Sequence, residues 1–512
     1  MDVLYALRRA RQFHGNAIAA YVDDRTITYA QFIDRVARMA SALRAMGVAR
    51  GDRVAVLMLN SIRYLELYFA VPLAGAVFVP INIRWNPAEV LFGLSDCGAR
   101  LLVVDDASAR LPPALSAGLP TLQYLFAGDG GAPAGMADYE ARLAAASPAD
   151  VDVRPDEDEV AGLFYTSGST GGPKGVMLTY RNLYANMLQG RASLAVGHDW
   201  MWLHAAPMFH VASTVVYSLV MQGASSCFVP VFDPEACLKA IERYRVTHMF
   251  VVPAMLNAII NHPACGRCDT SSLRMLAYGA SPMPVDLLRR GQEKLGCTFA
   301  QAYGLSEASP SLTYLPPEDH IFEGAHERFA PVKSAGRPIL GVEVKVVDPL
   351  DRELRPGEAG EVVARGDNVM KGYWNRPEIT AETLRGGWLH TGDIGAFDAQ
   401  GYLYILDRKK DMIKPGGENV YSPEVESMIG SHPEVLEAAV IGVPDERWGE
   451  AVKAVVVRRP GSSLTEAELI DYCRERMAHF KCPTSVDFPE ALPKGGTGKV
   501  LKTVLREKHR RE

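Results

Sequence analysis

The chain has 512 residues, with 54 Lys plus Arg against 60 Asp plus Glu, and a formal charge of −6. Hydrophobic residues at 48% and charged residues at 22% exclude disorder for most of the chain, a collagen-like repeat and a disulfide framework. Mild acidity argues against nucleic acid as the main partner, because phosphate backbones demand concentrated Lys and Arg, and the length suggests about three lobes.

From the N-terminus, residues 1–9 hold no apolar run of signal-peptide length. The eight cysteines are scattered, so a reducing cytoplasm is the expected location. Thr28 and Gln31 form a capping-box pair, and Val36, Met39, Ala40 and Leu43 recur at helical spacing until Gly47. Residues 54–59 and 101–104 read as buried strands. Residues 67–81 are uncharged, but Pro72, Gly75 and Pro80 interrupt them, and they fall short of the ~20 residues of a membrane span. They read as a buried helix followed by a strand. Strands alternating with helices predict parallel α/β layers, and the Gly-rich residues 127–134 read as a surface loop.

Next comes an apolar strand, Leu163-Phe164-Tyr165, followed by Thr166-Ser167-Gly168-Ser169-Thr170-Gly171-Gly172-Pro173-Lys174-Gly175. Glycines let backbone N–H groups approach an anion, while hydroxyls and Lys174 add donors and charge, so a polyphosphate is the candidate ligand. Pro173 and Gly175 exclude a Walker A loop.

His262, Cys265 and Cys268 lack a convincing fourth metal ligand. Further on, residues 401–406 read as a strand, and Asp407-Arg408-Lys409-Lys410-Asp411 as a charged boundary. The last hundred or so residues then form a separate α+β pattern. Its expected helices lie near 422–430 and 465–477, its strands at 435–443 and 451–457. The basic cluster at 506–511 reads as decoration of a solvated helix, with weak peripheral membrane contact left open.

Five stretches in fixed order resemble the adenylate-forming superfamily of acyl-CoA synthetases, adenylation domains and luciferases. They are the phosphate loop, Gln301-Ala302-Tyr303-Gly304-Leu305-Ser306-Glu307, Gly387-Trp388-Leu389-His390-Thr391-Gly392-Asp393, Asp407-Arg408 with Gly416-Gly417-Glu418, and Gly496-Thr497-Gly498-Lys499. The sequence is most similar to bacterial fatty-acyl-CoA synthetases. The resemblance implies an α/β protein with a large multi-lobed N-terminal domain (1–406), a hinge (407–411) pivoting on Lys410, and a small mobile α+β lid (412–512).

It also implies a two-step reaction using ATP, Mg²⁺ and CoA. A carboxylate displaces pyrophosphate from ATP, and a thiol then displaces AMP from the acyl-adenylate. Lys174 and the loop amides would hold phosphates, Glu307 would hold Mg²⁺, and Ser306 would lie near the α-phosphate. Tyr303 would stack on adenine, Asp393 and Arg408 would hold the ribose, and Ile405 falls in the same nucleotide set. Lys499 would drive adenylation. After rotation, Lys414, Gly416 and Gly417 would line a pantetheine tunnel, where Pro415 departs from the small polar residue of many relatives. Trp448 would meet CoA or pack between domains. Cys482 leaves the nucleotide end of CoA poorly specified.

The acyl pocket is implied at Pro207-Met208-Phe209-His210, Gly279-Ala280-Ser281 and the Tyr303 strand, with His210 gating, steering the carboxylate or simply packing. Residues 203–223 contain no Asp, Glu, Lys or Arg. An unpaired substrate charge would be costly to bury there, so a neutral apolar acid is expected. Val211, Val215, Val216, Tyr217 and Leu219 offer apolar surface, unless it is consumed as helix core. A medium- or long-chain fatty acid leads. A benzoate- or cinnamate-like acid, a stand-alone carrier-protein loader and a silent ligand binder are alternatives. The oligomeric state stays open, a homodimer included.

Overall fold

The computed structural model describes residues 1–116, 118–166, 173–210, 214–324, 330–494 and 500–509. Two compact units emerge: Met1–Val344 with Ala364–Leu389, and Lys345–Val363 with His390–Glu512. This division follows packing density, a different quantity from the implied rotation on which the expected boundaries at 406 and 412 rest.

Among the described residues, the first unit contains two large sheets. In the eight-stranded sheet, Arg53–Leu57 is flanked in parallel by Val77–Pro80 and Ala99–Val104. Val160–Thr166 runs parallel to Val77–Pro80, and Lys174–Thr179 pairs antiparallel with it. The two-residue strand Gly372–Tyr373 closes that edge against Lys174–Thr179. The nine-stranded sheet has a parallel centre of Ser225–Phe228, Met201–His204, His248–Val251, Met275–Gly279 and Thr298–Tyr303. Thr313–Leu315 then returns antiparallel. These are the α/β layers that alternating apolar strands and helices dictate.

Local expectations are met where a side chain fixes the element. Thr28 and Gln31 form the capping box of helix Tyr29–Ala45, and Gly47 supplies a positive φ of 82° just beyond it. The uncharged stretch is a buried helix, Ile62–Leu73, followed by strand Val77–Pro80. Among the described residues no helix is long and apolar enough to cross a membrane.

The second unit contains most of a four-stranded sheet, in the order Val342–Val347, Gly360–Gly366, Leu389–Phe397, Leu403–Arg408. A three-stranded sheet follows, with Val435–Asp445 antiparallel to Gly449–Arg458 and Ser485–Asp487 parallel to the latter. Helices Ser422–Gly430 and Glu466–Arg474 cover it through Val425, Ile429, Leu469 and Cys473, which are all fully buried.

On the basic C-terminal helix, Lys502–His509, Lys508 is exposed as a solvated helix requires, Arg506 is not, and Arg510 and Arg511 lie outside the described residues. Arg506 pairs with Asp411 at 2.6 Å. Lys502 donates to Ser422 Oγ at 2.6 Å, and Ser422 in turn donates to buried Asp407. Lys502 also pairs with Glu426 at 2.7 Å, so two cations that would be solvated on an isolated helix are held by carboxylates at 411 and 426.

Candidate active site

The phosphate loop springs from a hairpin whose final register pair, among the described residues, is Thr166 with Lys174. Ser167, Gly168, Ser169, Thr170 and Gly171, which were expected to hold phosphate, lie outside the described residues. The base of the loop is firmly fixed. Tyr165 donates its hydroxyl to Asp96 Oδ2 at 2.7 Å, Arg376 donates to Asp96 Oδ1 at 2.8 Å, and Trp374 N donates to Gly175 O at 2.8 Å.

Tyr373 joins that base to the expected metal ligand. Register places it opposite Val176, so its ring lies 5.4 Å from Lys174 Nζ. Its hydroxyl donates to Glu307 Oε1 at 2.7 Å. Burial, and then the charge of Glu307, push the phenol well above its ordinary pKa, so the hydroxyl keeps its proton and remains a donor. Glu307 sits in the 3₁₀ turn Ser306–Ala308, and its backbone carbonyl accepts from Met370 N at 2.8 Å. Tyr373 uses one of roughly four acceptor positions of the carboxylate. The rest of that capacity suits a hard cation. Among the described residues no cluster of three or more His, Cys, Asp or Glu is placed to hold a metal.

Close backbone approach shapes the turn before Glu307. A Cβ on Gly304 would lie 2.0 Å from Pro310 O, and one on Gly279 would lie 2.4 Å from Ala302 O. Asn368, fully buried, donates to Ala308 O and Ser311 O at 2.8 Å each. It braces the far side of the same turn.

Gln301, Ala302 and Tyr303 lie on the strand between Met275–Gly279 and Thr313–Leu315. Tyr278 donates to Gln301 Oε1 at 3.1 Å. At the end of the neighbouring strand, Ala280 adopts a φ of 67°, a left-handed conformation that costs a non-glycine residue about 1–2 kcal/mol. Gly279, Ala280 and Ser281 therefore turn sharply beside Ala302.

Buried Asn60 holds the Pro207–His210 stretch. Its Nδ2 donates to the carbonyls of His204, Ala206 and Val229, and its Oδ1 accepts from Met208 N at 2.8 Å. Tyr68 donates to Met208 O at 2.6 Å, and the rings of Phe209 and His210 lie 4.3 Å apart. Val216, Tyr217 and Leu219 are buried in helix Val215–Gln222 as core, so their apolar surface is consumed by packing; Val211 lies outside the described residues.

In the second unit the two expected ribose residues meet. Asp393 and Arg408 are register partners on adjacent antiparallel strands, and Arg408 Nε lies 2.6 Å from Asp393 Oδ1. Asp393 is buried while about half of the Arg408 side chain is exposed. Ile405, on the same strand as Arg408, pairs with Gly395. Thr391 accepts from Asp393 N and donates to Val362 O, which fixes the loop carrying Asp393.

The expected pantetheine residues also cluster. Gly416 N donates to Trp448 O at 2.8 Å, and a Cβ on Gly416 would meet the indole at 2.8 Å. Gly417 continues the turn with a φ of 90°. Lys414 N donates to Glu450 Oε2 at 2.7 Å. Trp448 is half exposed, with the Arg447 guanidinium 4.7 Å from its ring centre. Lys499 lies outside the described residues; Lys494 and Val500 pair as an antiparallel bridge on either side of that segment.

Residues 7–374 match the AMP-binding enzyme family, and residues 424–499 match the AMP-binding enzyme C-terminal domain. A feruloyl-CoA synthase from Amycolatopsis sp is 43% identical over 506 residues, 98% of each chain. A long-chain-fatty-acid–CoA ligase from Mycobacterium tuberculosis is 38% identical over 500 residues, 96% of this chain and 95% of that one. The crystal structure of ATP-bound MatB from Rhodopseudomonas palustris superposes with a TM-score of 0.89 at 32% identity, covering 100% of this chain and 99% of that one.

Proposed function

The chain belongs to the AMP-binding enzyme family, as an ATP-dependent, AMP-forming acid–CoA ligase, and from that premise we propose which acid it activates and which residues do the work. The favoured substrate is an aryl acid of the cinnamate type, joined to CoA in two steps. A carboxylate oxygen of the acid attacks the α-phosphorus of ATP, and pyrophosphate leaves. The CoA sulfur then attacks the acyl carbon, AMP leaves with the bonding pair, and the thiol proton is released.

The observation that carries the catalytic reading is the Lys174–Tyr373–Glu307 arrangement at the base of the phosphate loop. Two anions must meet in the first step, so placed cations should lower its barrier most. Lys174 would meet the phosphates. Glu307 would hold Mg²⁺, whose charge would offset that of the departing pyrophosphate. Tyr303 would stack on adenine, and the Asp393–Arg408 pair would receive the ribose. Lys499 would bridge the attacking carboxylate and the α-phosphate. A pivot at Lys410 would then exchange it for the Lys414, Gly416, Gly417 and Trp448 cluster around pantetheine.

The aryl reading draws on the 43%-identical feruloyl-CoA synthase. It also draws on Val216, Tyr217 and Leu219, whose apolar surface is spent on the core rather than left for an alkyl chain. A fatty acid is the second reading, favoured by the 38%-identical ligase; a role in lipid metabolism would follow from it.

Pyrophosphate release measured over aromatic and aliphatic acids, with and without CoA, tests both. The expected result is CoA-dependent thioester formation, fastest with cinnamate-like acids. Faster turnover of C12–C18 acids would select the second reading. Release without any thioester would make the protein an adenylate-only or carrier-loading enzyme. Lys499→Ala should abolish adenylation while sparing thiolation of preformed adenylate, and Lys410→Pro should do the reverse.

A further inference from the structure

Helix Tyr180–Leu194 presents Asn186, Gln189, Gly190 and Ser193 to one side, at the i, i+3, i+4, i+7 spacing of a single helix face. Such an inward stripe is ordinarily apolar. Here it is polar, and it lines a cavity of about 40 Å³ whose other wall includes Ala302, Ser311 and Thr313. The cavity is therefore directly behind the strand that carries Tyr303.

Two polar side chains in that wall have partners of their own. Asn186 Oδ1 accepts from Thr214 at 3.1 Å, and Thr313 donates to Ala335 O at 2.5 Å. The amide oxygen of Gln189 has none: the residue is only 7% exposed, yet that oxygen is buried without a hydrogen-bond partner. A buried acceptor in this state is costly unless something donates to it. The space exceeds the roughly 10–15 Å³ that a water needs, so a hydroxyl fits, whereas an alkyl tail does not.

We propose that this cavity receives a ring hydroxyl at the far end of the acid, with Gln189 Oε1 as its hydrogen-bond acceptor. The inference rests on the aryl reading above and deepens it: the substrate class becomes a hydroxylated aryl acid. A site built around a donor discriminates strongly against analogues lacking it, because its acceptor is then left unpaired.

The test compares ring-hydroxylated cinnamic acids with their hydrogen and fluorine analogues, by kcat/KM for pyrophosphate release, in the wild type and in Gln189→Met and Gln189→Glu. The wild type should prefer the hydroxylated acid by at least about tenfold. That ratio should fall to near 1 in Gln189→Met and recover in Gln189→Glu, which restores an acceptor. An unchanged ratio in Gln189→Met would overturn the assignment. So would equal wild-type rates with hydroxyl and fluorine, which would leave the cavity to a buried water. The wild-type comparison decides the matter even if Gln189→Met does not fold. Turnover of aryl acids without hydroxyl preference defeats this inference alone; turnover of fatty acids with none of aryl acids defeats the aryl reading and this inference with it.

Discussion

Tyr373 donates its hydroxyl to Glu307 Oε1 at 2.7 Å while the face of its ring lies 5.4 Å from Lys174 Nζ. One side chain thus positions a carboxylate by its edge and an ammonium by its face. Tyr373→Phe removes the first contact and keeps the second. A hydrogen bond to a charged group contributes about 1.5–3 kcal/mol, so adenylation should slow by about 10- to 100-fold. If Glu307 holds the metal, the Mg²⁺ concentration giving half-maximal rate should rise as well. Loss of rate with unchanged Mg²⁺ dependence would assign Tyr373 a packing role only.

The Asp393–Arg408 pair, 2.6 Å apart, makes a separate prediction. If it receives the ribose, Asp393→Asn should raise the KM for ATP by about tenfold or more, since a charged acceptor is replaced by a neutral one. The wild type should discriminate against 2′-deoxy-ATP, and Asp393→Asn should discriminate less. Equal discrimination by both enzymes would place the ribose elsewhere.

Much of the fold could be read along the chain because it rests on local chemistry. Thr28 with Gln31 caps a helix within four residues, and helix Ser422–Gly430 begins and ends where its sequence signals fall. The motif residues of the site were legible for a related reason: each lies in a short string whose order carries information. Tyr373, Asp96, Asn60 and Asn368 belong to no such string. Tyr373 reaches Glu307 across 66 positions, because strand register brings it there. Asn60 spans 144 or more positions to its carbonyl partners, and only the assembled sheet defines that target. Arg506 sits in a basic cluster that local sequence describes as solvated, because its partner, Asp411, is 95 positions away. The polar stripe around Gln189 does carry a sequence signal, helical spacing of Asn, Gln and Ser, but the same spacing describes a solvated face until burial is known.

Asn60 offers a test of how the acyl segment is held. Asn60→Ala strips the carbonyls of His204, Ala206 and Val229 of their shared donor. Each buried unsatisfied group costs about 1–3 kcal/mol, and partial rehydration should leave a net loss of several. The midpoint of urea unfolding should fall, and the KM for the acid should rise through displacement of Phe209 and His210. A lowered midpoint with unaltered acid KM would separate stability from substrate placement.

Gly304→Ala should be far worse than an ordinary surface change. Its Cβ would lie 2.0 Å from a backbone oxygen, Pro310 O, which cannot rotate away as a side chain can. Overpacking of this kind costs about 1–3 kcal/mol, and relief requires moving the turn that carries Glu307. Adenylation should therefore drop more than global stability does, measured by urea unfolding beside single-turnover pyrophosphate release. Wild-type adenylation in Gly304→Ala would show that the turn tolerates displacement.

Part of the acid sensitivity should originate at two buried histidines on neighbouring strands of the nine-stranded sheet. His204 and His248 are each pushed down to about 3, His204 by burial and His248 by burial with Arg274 adding and Asp199 opposing. His248 stacks on Trp200 at 3.5 Å with its Nδ1 2.7 Å from Thr247 Oγ1, a setting with no room for a hydrated imidazolium. Folded, both rings stay neutral down to about pH 3; unfolded, they take up protons near the ordinary value of 6.5. Unfolding thus binds protons throughout that window, so stability is complete above pH 6.5 and declines as pH falls toward 3. Each ring should contribute about 2 kcal/mol of loss between pH 7.5 and pH 5. His248→Phe keeps an aromatic ring against Trp200 and removes one titration. Its unfolding free energy, followed by tryptophan fluorescence in urea, should therefore fall by about 2 kcal/mol less than that of the wild type over this range. An equal decline in both proteins would mean that His248 is not one of the groups that charge on unfolding.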